Sequence, residues 1–166
     1  DSGSRWFAFS PGDETMNITI SQRYRIRIGL QWSQPWGSAN TDLNLFLYDG
    51  SLENVLASST DNNLGGDPLE FISWSNTAFN SVNAHIAIEY ESRSGDTPPD
   101  DLTLKFIIFD KGDSNVTIQQ YQNFAAGTQV PHAGTPKSIS MAAAPFFDPL
   151  VAESWSGRGR HRRFFN

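Results

Sequence analysis

At 166 residues the chain is long enough for one domain, or one domain and part of another, and needs neither metal nor disulfide merely to fold. Its net charge is −6, and residues 1–156 alone hold 8 basic against 18 acidic groups, a balance that opposes binding to nucleic acid or anionic lipid. There is no cysteine, which excludes disulfides, thiol nucleophiles and cysteine-held zinc, and no apolar run approaches the roughly 20 residues of a membrane span.

Period-two alternation dominates the chain. Short runs at Trp6–Phe9 and Thr15–Ile20 come first. In Tyr24–Trp32, the side chains of Ile26, Ile28, Leu30 and Trp32 share a face opposite Arg25, Arg27 and Gln31. In Asp42–Tyr48, Leu43, Leu45 and Leu47 oppose Asp42, Asn44, Phe46 and Tyr48. Further runs are Glu53–Ser58, Leu69–Trp74, Ala84–Glu91, Leu102–Ile108 and Asn115–Tyr121. Turn chemistry separates them, at Pro11-Gly12-Asp13, Pro35-Trp36-Gly37, Asp49-Gly50, Gly65-Gly66-Asp67-Pro68, Pro98-Pro99 and Lys111-Gly112-Asp113. About nine short strands with one-sided apolar faces and no helix signal predict an all-β fold, an antiparallel β-sandwich or jelly roll. The pattern changes near residue 122. We place a sandwich over residues 1–122, and over 123–166 a linker with an extended, irregular C-terminal segment.

The histidines, His85, His132 and His161, are dispersed. His85 falls mid-strand on a polar face, His132 in a loop and His161 in an Arg-rich tail. No nucleophile elbow accompanies them, so no catalytic residue is assigned and this chain alone is not expected to be an enzyme. Calcium is the one cofactor considered, and folding does not require it. Asp42 and Asn44 project from one strand face and Asp49 follows in a turn, which makes these three the candidate oxygen ligands. Asp and Asn are equally the default turn and strand-end residues, and the same holds for the acids at Asp96, Asp100, Asp101, Asp110 and Asp113. Trp32 shares the phase of Ile28 and Leu30 and is expected in the core. Trp36, in a Pro-Trp-Gly turn, is the candidate surface ring for ligand binding.

Two segments carry a family resemblance. Leu30-Gln31-Trp32-Ser33-Gln34-Pro35-Trp36-Gly37, followed by Thr41-Asp42-Leu43-Asn44-Leu45-Phe46-Leu47-Tyr48-Asp49, resembles the β-sandwich accessory domains of secreted subtilisin-like proteases, akin to the bacterial pre-peptidase C-terminal domain. Those domains show a Trp-Asp-Asp-Pro turn and then an Asp-Leu-Asp-Leu-Tyr-Leu strand. Gly66-Asp67-Pro68-Leu69-Glu70 is similar to their next landmark. Here Ser33 and Gln34 replace the acids of the turn, and Asn44 replaces the second Asp. The second segment, Gly134–Ala144 with Glu153-Ser154-Trp155-Ser156-Gly157-Arg158-Gly159, resembles the subtilase core strand that leads to Phe-Ser-Ser-Arg-Gly-Pro, with Arg160 where Pro is usual. Asp-Thr-Gly, His-Gly-Thr and Gly-Thr-Ser motifs are all missing from the chain.

The resemblance implies a non-catalytic accessory domain inserted in an exported subtilisin-like serine endopeptidase, supporting folding or substrate access. It further implies a secreted or cell-surface location reached by prokaryotic-type export, with any signal peptide upstream of Asp1. The expected partner is the catalytic domain of the same polypeptide, with a homodimer through the C-terminal segment as a second contact and neither nucleic acid nor membrane. The rival reading is a free-standing carbohydrate- or peptide-binding sandwich that uses Trp36. A row of exposed coplanar rings would favour that rival.

Overall fold

Apolar residues at every second position form strands because successive side chains of an extended chain point to opposite faces. Among the described residues eight strands result: β1 (Met16–Ile20), β2 (Arg25–Trp32), β3 (Leu43–Asp49), β4 (Val55–Ser59), β5 (Leu69–Ser75), β6 (Val82–Tyr90), β7 (Leu104–Phe109) and β8 (Val116–Ile118). The computed structural model describes residues 5–91, 99, 102–109, 115–121, 144–147 and 151. The expectations placed on 123–143 and 152–166, including His132, His161 and the segment resembling the subtilase core, lie outside them. So do Asp96, Asp100, Asp101, Asp110 and Asp113. The chain divides into two units, the first ending at Tyr121, and the fold described below is that of the first.

All strand pairs are antiparallel. One sheet has the order β4-β3-β6-β1-β8 and the other β5-β2-β7. The pairing is nested, with β1 on β8, β2 on β7 and β3 on β6. Only β3 and β4 are both consecutive in the chain and members of one sheet. The all-β sandwich expected from the alternation is the fold observed.

The core lies between the sheets. Met16, Ile18 and Ile20 of β1 meet Ile26, Ile28, Leu30 and Trp32 of β2, with Leu43, Leu45 and Leu47 of β3 and Ile86 and Ile88 of β6. Each such side chain contributes roughly 1.5–3 kcal/mol by leaving water. A one-residue slip of β3 would turn all three leucines outward, so the core sets the register.

The expected strand at Trp6–Phe9 appears as a single bridge from Trp6 to Glu89. Phe7 N donates to Ile88 O at 2.8 Å and Tyr90 N to Arg5 O at 2.6 Å, so the segment runs beside β6 beyond the point where β1 ends. It goes no further because Phe9 N turns to Asp13 O, through a turn whose Gly12 has φ of 80°. On the outer face of this sheet, Trp6 packs edge-on against Phe46 and Tyr48 and covers it.

Candidate functional site

The loops at one end of the sandwich are joined by a continuous set of hydrogen bonds. The long β2–β3 connection is organised by Gln34, whose Oε1 accepts from Trp32 Nε1 at 3.1 Å and from the amides of Asn40 and Thr41 at 3.0 Å each. Its Nε2 donates to Thr41 Oγ1 at 2.6 Å and to Asn40 Oδ1. A neutral amide suits the place, since it supplies an acceptor for three N–H groups and two donors from one buried side chain. The β4–β5 loop is tied to this connection by Gly37 N on Asp67 Oδ1, Ala39 N on Gly66 O and Gly65 N on Ala39 O.

Asp42 and Asn63 stand where these loops meet the sheets. Asp42 is buried, and its Oδ1 accepts from Asn63 N at 3.2 Å. Asn63 Nδ2 donates to Asp67 O and Leu69 O, both at 3.2 Å, which fixes the amide's orientation and leaves Oδ1 facing away from those carbonyls. That Oδ1 is buried without a hydrogen-bond partner. Glu70, which the Asn63 side chain influences, is the second residue of β5, shares the inward phase of Ile72 and Trp74 and is only 1% exposed. Both its carboxylate oxygens are buried without a partner.

Burial pushes the Glu70 carboxyl above its ordinary range, and the negative charges of Asp61 and Asp42 act in the same sense. The polar side chains of Ser59 and Asn63 pull the other way, but neither meets a Glu70 oxygen in hydrogen-bond geometry. The Gly66–Glu70 motif includes Glu70 but does not by itself show which way it points. Sharing a face with Ile72 and Trp74 was the signal that it points inward.

The three expected calcium ligands are placed apart. Asp42 is in the loop cluster just described. Asn44 Nδ2 donates to Glu89 Oε2 at 2.9 Å and Glu91 Oε2 at 3.4 Å, beside Arg5, whose guanidinium pairs with Glu89 at 2.9 Å and Glu91 at 3.0 Å. Asp49 ends β3, about 20 Å from Asp42 at the ordinary rise of a strand. There its Oδ1 accepts from Ser51 N and Oγ and from the amides of Glu53 and Asn54, while Oδ2 accepts from Asn54 Nδ2 at 2.6 Å. The turn also presses on β6, since a Cβ on Gly50 would sit 3.3 Å from Asn83 O. Among the described residues, no three Asp, Glu or His side chains converge on one point.

His85 Nδ1 lies 3.4 Å from Thr15 Oγ1. Asp13, whose charge reaches this imidazole, is engaged by Thr15 N at 3.2 Å and by Tyr121 OH at 2.6 Å. No carboxylate is seen hydrogen-bonded to the ring among the described residues, so the orienting contact of a triad is not assembled there. Trp32 is fully buried. Trp36 is 46% exposed, and no other described ring stacks with it.

The outer face of the three-stranded sheet is apolar and basic. Across β5-β2-β7 its rows read Ser73–Arg27–Phe109, Phe71–Gly29–Ile107 and Leu69–Gln31–Lys105. Leu69, Phe71, Ile107 and Phe109 are all exposed. Gly29 lets the rings close over β2, as a Cβ there would lie 3.6 Å from Phe109 and 3.7 Å from Phe71, whose ring centroids are 6.3 Å apart. Arg25, Arg27 and Lys105 point to this face, and the described strand residues that share it include no acid.

Comparison of the chain with protein families, curated proteins and solved structures finds no match.

Proposed function

We propose that the chain is a non-catalytic accessory domain of an exported subtilisin-like serine protease, docked on the catalytic domain of the same polypeptide through the outer face of β5-β2-β7. The observation that carries the reading is the exposed set of Leu69, Phe71, Ile107 and Phe109 around Gly29, rimmed by Arg25, Arg27 and Lys105. Contiguous apolar surface with a polar rim marks an interaction site. A basic rim on a chain of net charge −6 suits a partner surface that is apolar at its centre and acidic around it. The other sheet bears its own cover of Trp6, Phe46 and Tyr48, so the two outer faces differ in what they still have to bury. The resemblance of residues 30–49 and 66–70 to protease accessory sandwiches supplies the identity of the partner. Trp36, without a second exposed ring beside it among the described residues, offers the carbohydrate-binding alternative no row of aromatics.

The test is hydrogen exchange on the longer polypeptide in which the chain occurs, compared with the chain alone. Slower exchange at Phe71 and Phe109 in the longer polypeptide, with a Gly-Thr-Ser nucleophile motif downstream, supports the reading. Equal exchange in both, or flanking sequence with no protease motif, overturns it.

A further inference from the structure

Three buried oxygens at the loop end of the sandwich lack donors: Glu70 Oε1, Glu70 Oε2 and Asn63 Oδ1. All three are acceptors when Glu70 is ionised, and they belong to residues only 1% and 5% exposed. Leaving such groups unpaired in the interior opposes folding, and more so where a charge is involved. Asp42, also buried, accepts a hydrogen bond from the backbone N–H of Asn63 at 3.2 Å. Asp61 and Asp42, both acids, act on Glu70 in the sense that opposes its ionisation. Buried carboxylate oxygens without donors, acted on by further acids, favour positive charge beside them.

A proton on Glu70 meets this need only in part. It creates one O–H donor but leaves the other Glu70 oxygen without one. A divalent cation answers all of it, because it bonds to several acceptors at once and matches two negative charges. The donor set is carboxylate and amide oxygen with no nitrogen or sulfur, the set that calcium takes, and calcium tolerates irregular geometry. Magnesium usually keeps several waters, which a place this closed to solvent does not favour.

We propose that this end of the sandwich binds one calcium ion through Glu70, Asn63 Oδ1 and Asp42, joining β5, the β4–β5 loop and the start of β3. The site differs from the set expected from the sequence, sharing Asp42 with it but neither Asn44 nor Asp49. Its consequence is structural: a bound ion would lock together the loops that Gln34 and Asn63 already connect.

The experiment is calorimetric titration of the chelator-treated chain with calcium chloride, alongside its thermal melt. The expected result is one ion per chain and a melting temperature that rises with calcium concentration, as for any ligand bound only by the folded state. Glu70→Gln should weaken binding on the order of tenfold or more, since affinity follows the charge of the ligand set. Asp49→Asn should bind as the unaltered chain does. If Glu70→Gln does not fold, as judged by circular dichroism, Asp42→Asn takes its place with the same two readings. Absence of heat and of any melting shift at millimolar calcium overturns the proposal. So does undiminished binding by a folded Glu70→Gln variant, which would move the ion elsewhere.

Discussion

Asp49 and Glu70 are carboxylates near strand ends of one sandwich, and their surroundings drive them in opposite directions. Asp49 is a hydrogen-bond acceptor for Asn54 and Ser51 and for nearby backbone amides, which lowers its carboxyl to about 2 from 3.8. Those bonds favour the ionised form, so its contribution to stability is present above the unfolded value and is lost as pH falls from about 4 to about 2. Glu70 is raised by burial, so its ionised form opposes folding, and its contribution declines as pH rises above its ordinary 4.5. Asp49→Asn removes only the first of these. Its urea midpoint should lie below that of the unaltered chain near neutral pH, and the gap should close by pH 2. A gap of constant size across that range would show that the turn depends on the shape of the side chain and not on its charge. The same turn holds Leu52 at φ of 63°, a left-handed conformation that a branched apolar residue rarely adopts. The bonds to Asp49 on either side of Leu52 hold the chain in that position.

At the scale of elements, β3 is one of the strands specified from both sides. It lies between β4 and β6, and Leu43, Leu45 and Leu47 all reach the buried core. Leu45→Ala should destabilise the chain by about 2–5 kcal/mol, the usual loss for a core leucine that leaves a cavity. Denaturant unfolding measures it, and a change well under 1 kcal/mol would place Leu45 outside the core. Strands of this kind were legible in the sequence because alternation is a local signal. β2 and β3 were read within a residue or so of their ends, and Asp49-Gly50 was read as the turn between β3 and β4. Which sheet each strand joins was not legible, since partners such as Met16 and Ile86 are set by packing over long separations. The candidate site failed to show for the same reason. Asp42, Asn63 and Glu70 come from three segments, linked by the bonds of Asn63 to Asp42 Oδ1 and to Leu69 O. The expected trio of Asp42, Asn44 and Asp49 was near in sequence, but an extended strand holds its two ends apart.

On the scale of the whole molecule, the first unit carries its own core and ends at Tyr121. Beyond it, the described residues include Phe146 at 94% exposure, Phe147 at 77% and an exposed Val151. Large apolar side chains this open to solvent favour association with another surface. Deleting residues 134–166 should therefore leave the sandwich with a cooperative melt and reduce self-association in light scattering. Loss of the melt on deletion would make the C-terminal segment an integral part of one domain.

The nested pairing also governs how the chain finds this fold. Ile18 pairs with Ile118 and Arg27 with Phe109, so strands from the two ends of the unit must meet before either sheet is complete. Among the described strands, the hairpin of β3 and β4 is the one place where neighbours in sequence are also neighbours in a sheet. Closing the larger loops costs entropy before any contact repays it, which slows folding in chains dominated by distant pairings. Until β7 arrives, the edge of β2 stays open to pairing with a strand from another chain. Arg25 and Arg27, charged residues on that strand, make it a poor template for such an encounter throughout the wait.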